Sequence, residues 1–250
     1  MSKNIKIVAS IEARMTSSRL PGKMLKNIGD KLVIQHLVDR LRLCSTLDDI
    51  VIATTTNKED DALVDWAKSY GVNFFRGSED DVLGRVVGAH ISMESDLIVE
   101  ITGDCPFTDP DIVDIGVNTF LSNNIDYLTN CEVPSTPPGL YVQVFRLESL
   151  IDIEKKIKDT GVREHVSLYY YENPEIYKIH HLISSSKLKL PENTRIYLDY
   201  PEDLDFLSKL YEHLVDQNNR DFNAEDIVVA LEENPNLLKI NNHLKDVPIR

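Results

Sequence analysis

Ile5-Lys6-Ile7-Val8-Ala9, a short apolar run, leads within a few residues into Ala13-Arg14-Met15-Thr16-Ser17-Ser18-Arg19-Leu20-Pro21-Gly22-Lys23-Met24-Leu25. Three cations are threaded through hydroxyls and a Pro-Gly turn directly after a strand. That order puts a cationic loop at a strand's carboxyl end, where α/β proteins take their ligands. Residues 11–31 hold five cations (Arg14, Arg19, Lys23, Lys26, Lys31) against two anions (Glu12, Asp30), a net +3 inside a chain of formal charge −14. Most of such a surface repels a long polyanion, whereas a compact one such as a nucleoside triphosphate is drawn into a single cationic loop. The expected partner is a small molecule, and nucleic acid is not expected.

Apolar strand-like runs alternate with helical patterns through the first half, the order that builds a parallel sheet covered by helices on both faces. After the strand at 5–9, Val33, Leu37, Leu41 and Cys44 recur at helical spacing, and residues 50–53 give a second strand. A helix carrying Leu63, Val64, Trp66 and Ala67 closes at Gly71. Residues 72–76 form the third strand, a helix begun by Asp80 or Asp81 runs through Val82, Val86, Val87 and Ile91, and residues 97–101 form the fourth strand. The ligand-binding loops then begin near Ser10, Arg76 and Thr102. After Asp126 the pattern turns irregular: Pro134, Pro137, Pro138 and Gly139 mark a loop, residues 140–145, 176–183 and 195–198 read as strands, and 201–214 and 223–231 as helices. No repeat, low-complexity tract or long linker divides the chain, so one domain over residues 1–250 is expected.

With 250 residues and 42% hydrophobic content the core needs no covalent staple. Cys44, Cys105 and Cys131 are odd in number and share no metal-like spacing, which predicts reduced thiols. No apolar run approaches the ~20 residues of a membrane span, and the N-terminus carries no cationic segment followed by an apolar one. A soluble cytoplasmic protein with no membrane partner is expected, its acidic balance being solvated surface.

The loop fits neither common phosphate-binding pattern. A P-loop needs glycine five residues before Gly22 and Ser or Thr after the lysine, where this chain has Ser17 and Met24, and no two glycines stand one residue apart anywhere. What remains is a loop in which Gly22 lets the backbone approach closely while Arg14, Arg19 and Lys23 supply charge, or else a basic surface turn. Thr102-Gly103-Asp104-Cys105-Pro106 follows an apolar strand, placing Asp104 where an α/β enzyme holds a divalent cation against phosphate; a plain Gly-Asp turn is the other reading. Tyr197-Leu198-Asp199-Tyr200-Pro201-Glu202-Asp203 repeats the arrangement, with Asp199 as a second ligand and Asp203 as charge at a helix start. Magnesium takes one or two carboxylates plus the substrate's own phosphates, which two acids satisfy.

Arg14-x-x-Ser17-Ser18-Arg19-Leu20-Pro21-Gly22-Lys23, with Gly103-Asp104-x-Pro106 and Asp199-x-Pro201-Glu202-Asp203 in that order, resembles the cytidylyltransferase superfamily, which includes the synthetases of CMP-activated acidic sugars. The branch it is most similar to is that of the spore-coat polysaccharide biosynthesis proteins. Arg76-Gly77-Ser78-Glu79-Asp80-Asp81-Val82-Leu83-x-Arg85, residues 139–145 and Arg163-Glu164-His165-Val166 also resemble that branch, so the likeness covers roughly residues 5–210. The resemblance implies a Rossmann-like, mostly parallel mixed sheet with helices on both faces, of the nucleotide-diphospho-sugar transferase type. It implies a nucleotide-binding half to about residue 130 and an acceptor and dimerisation half beyond, within a homodimer. It further implies magnesium as cofactor and transfer of CMP from CTP to a sugar or sugar acid in surface-polysaccharide synthesis, with release of pyrophosphate. By position, Arg14, Arg19 and Lys23 would grip the triphosphate as catalytic cations, Ala13 and Ser18 would complete the nucleotide site, and Asp104 and Asp199 would hold magnesium. Arg76, Asp81 and Arg85 would lie near the base or ribose. An acceptor oxygen would attack the α-phosphorus in line, with no protein nucleophile.

The chain departs from the pattern at Thr16, where glycine is common, and at Tyr141 and Gln143, where the near branch usually has acids. If residues 139–145 line the acceptor pocket, as the resemblance implies, Tyr141 and Gln143 point to a different acceptor, a phosphonate or polyol phosphate included. His165 contacts acceptor or a partner subunit, or is a hydrogen-bonded structural histidine. His180 and His181, adjacent in a strand, point to opposite faces and cannot share a metal. A metal-dependent glycosyltransferase would want Asp-x-Asp on a loop, a spacing met by Asp109-Pro110-Asp111 and Asp203-Leu204-Asp205. A non-catalytic nucleotide-binding domain is the third reading.

Overall fold

The computed structural model describes residues 5–131, 136–183, 188–191, 194–216 and 221–245; Pro134 of the expected loop lies outside them. Strand β1 (Ile7–Glu12) begins later than the apolar pattern and runs on through two polar residues. A hairpin of β2 (Asn27–Ile28) and β3 (Lys31–Leu32) leads into α1 (Val33–Leu41). Then come β4 (Asp49–Thr55), α2 (Asp61–Tyr70), β5 (Asn73–Gly77), α3 (Val82–Ser92), β6 (Leu97–Thr102) and α4 (Pro110–Ser122). Gly71 ends α2 in the left-handed region at φ 67°, the conformation glycine adopts at least cost. The second half adds β7 (Tyr127–Thr129), β8 (Gln143–Arg146), α5 (Leu147–Lys156), α6 (Thr160–Glu164), α7 (Leu168–Glu172), β9 (Ile179–His181), α8 (Pro201–Asp216) and α9 (Ala224–Glu233).

Among the described residues the main sheet has the order β5-β4-β1-β6-β8-β7-β9. β1 pairs parallel with β4 and β6, β4 with β5, and β7 with β9, while β8 runs antiparallel to both its neighbours. This is the expected mixed, mostly parallel sheet. Strand alternation splits it into two faces. Ile7, Ala9, Ile11, Leu97, Val99 and Ile101 pack with α1, α4, α8 and α9; Val8, Val51, Ile98, Tyr127 and Phe145 pack with α3, α5 and α7. Each fully buried Ile, Leu, Val or Phe contributes about 1.5–3 kcal/mol, so these two layers hold the sheet. No described helix is long and apolar enough to cross a membrane.

Four expectations change. The strand expected over 176–183 shortens to β9, Ile179–His181. α1 stops at Leu41, short of Cys44, and the strand expected over 140–145 shortens and shifts to β8. Residues 195–198 form no strand: the Ile196 amide donates to the Pro138 carbonyl at 2.9 Å and the Leu198 amide to Asp104 at 2.8 Å, single pegs rather than a ladder. Asp203, fully buried in the first turn of α8, locks that segment. Its carboxylate meets Arg195 through both oxygens at 3.2 Å, accepts the Asp199 and Tyr200 amides at 3.0 Å, and accepts Asn241 Nδ2 at 3.0 Å.

Because Arg195 is itself 3% exposed, Asp203→Ala strips a buried guanidinium of its carboxylate and frees the Asp199 turn. Chemical denaturation is expected to show a loss of about 3–5 kcal/mol; an unchanged midpoint would remove this network from the fold's supports.

Candidate active site

The loop after β1 is held at three points. The Met15 amide donates to Asp60 Oδ1 at 2.6 Å, Leu20 and Met24 are buried in the core, and Gly22, at φ 71°, donates its amide to the Met15 carbonyl at 2.9 Å. Arg14, Ser18, Arg19 and Lys23 therefore face a cavity of about 320 Å³, shared with Ala13, Asp104, Glu164 and Asp199. Gly103 is needed where β6 meets the loop: a Cβ there would stand 2.6 Å from the Glu12 carbonyl oxygen.

Lys23 Nζ lies 3.0 Å from Asp199 Oδ1, 3.6 Å from Asp104 Oδ2 and 2.8 Å from the Leu198 carbonyl oxygen. Arg19 Nη2 meets the other Asp199 oxygen at 2.8 Å. Residues 19, 23, 104 and 199, far apart in the chain, thus share one floor. The loop's net +3 does not survive folding as a free charge. The cavity wall sets Glu12, Asp104, Glu164 and Asp199 against Arg14, Arg19 and Lys23.

A larger cavity of about 670 Å³ adjoins the first and shares Glu12, Ala13, Arg14, Asp104 and Glu164 with it. Arg85, Tyr141, Gln143 and His165 line it, together with Glu100, Thr102, Ser167 and Tyr171. Gln143 Oε1 accepts hydroxyls from Tyr127, Ser167 (2.8 Å) and Tyr171 (2.5 Å). Arg76 and Asp81 line neither cavity. The Arg76 guanidinium is taken by Asp61 at 2.6 Å and by the Thr55 and Asn57 carbonyls, and Asp81 caps α3 and pairs with Arg163 at 2.6 Å.

A family model described as cytidylyltransferase matches residues 8–227. The chain belongs to the cytidylyltransferase family. It is 38% identical over 246 residues to protein MJ1063 of Methanocaldococcus jannaschii, covering 98% of each chain. It is 31% identical over 234 residues to the spore coat polysaccharide biosynthesis protein SpsF of Bacillus subtilis, covering 92% of this chain and 95% of that one. The solved structure of a cytidylyltransferase from Leptospira borgpetersenii superposes with a TM-score of 0.88 at 30% identity, over 98% of this chain and all of that one.

In this cytidylyltransferase the departures have structural answers. Thr16 keeps an ordinary backbone, since the one described non-glycine residue with positive φ is Glu94, and its hydroxyl donates to Glu79 Oε1 at 2.6 Å. Arg14 reaches the same oxygen at 3.1 Å and Asn57 the other at 2.5 Å, and these bonds hold Glu79 below the usual carboxylate range. Asp109 is the cap of α4 and Asp205 pairs with Lys209 on an exposed helix surface, so neither Asp-x-Asp spacing forms a metal site. No described cluster of three or more His, Cys, Asp or Glu could hold a metal. Two carboxylates converging on one ammonium nonetheless form a hard-oxygen pair that already accommodates a cation, which suits magnesium with triphosphate oxygens completing its shell.

Sequence reasoning missed Glu12 and Glu100. The signal was present: on the face where Val8 and Ile98 are core, the next alternate residues are Ser10, Glu12, Glu100 and Thr102. A buried aliphatic residue at position 100 would contribute about 1.5–3 kcal/mol, whereas a desolvated carboxylate costs several. Burial pushes Glu100 from the usual 4.5 up to about 7, and burial with the nearby Glu100 charge holds Glu12 well above the carboxylate range.

A raised carboxyl binds its proton more tightly folded than unfolded, so its contribution to stability is present below about pH 4.5 and lost as pH rises through about 7. Melting curves across that window are expected to fall more steeply for the wild type than for Glu100→Gln; parallel curves would contradict the burial of this acid.

Proposed function

We propose that this cytidylyltransferase moves the CMP unit of CTP onto a hydroxyl of a sugar-type acceptor in surface-glycan synthesis, releasing pyrophosphate. The observation that carries this reading is the placement of Lys23 between Asp104 and Asp199 in the compact, cation-bearing cavity, whose wall shares Asp104 with a larger cavity rich in hydroxyls. The small cavity takes the triphosphate, with Arg14, Arg19 and Lys23 on its oxygens; the large one takes the acceptor. The spore coat polysaccharide name of SpsF supports the glycan setting.

Asp104 and Asp199 would hold magnesium, which when bound supplies neutralising charge to the phosphates. Arg19 and Lys23 leave Asp199 for phosphate oxygens as the nucleotide enters. Arg19 orients the tail through its planar fork, and Lys23, only 13% exposed, follows negative charge onto the departing pyrophosphate. Gly103 lets the β6 carboxyl end press against the loop, keeping the acceptor hydroxyl and the α-phosphorus in adjoining compartments. Positioning and fixed charge do the work, as in other phosphoryl transfers.

The test is pyrophosphate release with each of the four nucleoside triphosphates, magnesium, and a panel of sugars, sugar acids and polyol phosphates. CTP-selective release supports the reading; a glycosidic product from a nucleotide sugar, or equal use of all four nucleotides, contradicts it. Asp104→Asn is expected to keep its melting temperature and lose most turnover, and near-wild-type activity would end its assignment to the metal. Lys23→Ala is expected to lower kcat/KM for CTP by about 2.7–4 kcal/mol, the loss seen when one fixed charge-stabilising donor is removed.

A further inference from the structure

Glu100 stands in β6 where the apolar residues of its face end, 5% exposed and lining the 670 Å³ cavity. Its Oε2 has no hydrogen-bond partner among the described residues. Of the hydroxyls around its cross-strand neighbour Gln143, those of Tyr127 and Tyr171 converge on Gln143 Oε1, while that of Ser167 is shared between this oxygen and the Glu100 carboxyl, so Oε2 stays open. Arg85 is no counter-ion for it. That guanidinium acts on Glu12 and donates to the carbonyls of Ala53, Ser78 and Glu79, while among the described residues no cation acts on Glu100.

The wall as a whole is acidic. Glu12, Glu79, Asp80, Glu100, Asp104 and Glu164 stand against Arg14, Arg85 and His165. Setting Glu79 against Arg14, Glu12 against Arg85 and Asp104 aside for metal leaves Asp80, Glu100 and Glu164, and of these Asp80 and Glu164 are exposed to water while Glu100 is buried. Once ionised, a buried carboxylate with an open lone pair and no counter-charge is satisfied by a donor that brings positive charge with it. A neutral hydroxyl fills the lone pair but leaves the charge, and an N-acetyl amide does the same with added bulk.

We propose that Glu100, with Glu12 beside it, receives a primary ammonium group of the acceptor, so that the acceptor class is an amino-bearing sugar. The inference rests on the reading that the large cavity takes a sugar-type acceptor, and it names the group that cavity selects. It also gives Gln143 a part: as a neutral residue where an acid is usual in the near branch, it gathers the surrounding hydroxyls and leaves Glu100 as the acid of that row.

The experiment compares amino-deoxy sugars and amino sugar acids with their hydroxyl and N-acetyl counterparts, for wild type and Glu100→Gln. Pyrophosphate release from CTP is read alongside direct saccharide binding by saturation-transfer NMR without nucleotide. Wild type is expected to prefer the amine, and Glu100→Gln to lose that preference by about thirtyfold or more, the size expected on truncating one partner of a desolvated charge pair, with CTP affinity unchanged. Wild-type turnover of hydroxyl or N-acetyl counterparts as fast as the amine overturns the inference and leaves cytidylyl transfer standing. Amine-specific binding lost in Glu100→Gln without any turnover upholds the subsite and overturns the transfer reading. Absence of both turnover and amine-specific binding in wild type overturns the inference.

Discussion

The Lys23 ammonium, set between Asp199 and Asp104, is the contact on which the active-site architecture depends. It joins the loop after β1, the turn after β6 and the segment before α8. Each of these arrives there for its own reason: Gly22 closes the loop, Gly103 permits contact with the Glu12 carbonyl, and Asp203 pins the Asp199 backbone. The loop's cations are thereby half-neutralised before any ligand arrives. A triphosphate brings negative charge into a wall already carrying four acids against three bases, so a divalent cation entering with the nucleotide is what electrostatics asks for.

The sheet explains why two compartments meet at that point. Along β1 and β6 the same face is apolar at Val8 and Ile98 and polar from Ser10 and Glu100 onward. The amino-terminal part builds the core with α3, α5 and α7, and the carboxyl-terminal part lines the large cavity. Buried polar groups there are a burden on stability that packing elsewhere offsets. Their position at the strand ends, under the cationic loop, ties that burden to ligand binding.

Local pattern made much of this legible in the sequence. Strands β1, β4, β5 and β6 and the helices α2, α3, α8 and α9 follow from clear apolar patterns, and the charge of the Arg14–Lys23 loop is a local fact; the β2–β3 hairpin, two residues per strand, is too short for any period to register. Three features were not local. The short helices α6 and α7 span five residues each, too few for a helical period to register. Residues 195–198 look like a strand because they are apolar and extended, yet their amides find isolated carbonyls at Pro138 and Asp104. Arg76 and Asp81 share a motif-like stretch with Arg85, but only Arg85 turns into the cavity; the other two are spent on Asp61 and Arg163. Side-chain direction decides such cases, and spacing does not encode it.

The most direct measurement is a crystal structure with CTP and manganese, read by anomalous scattering. The expected result is one manganese peak bound by Asp104 and Asp199, close to the roughly 2.0–2.1 Å of the magnesium it replaces, with Arg19 and Lys23 moved from Asp199 onto phosphate oxygens. A metal bound elsewhere, or nucleotide present while Lys23 stays paired with both aspartates, would contradict the account.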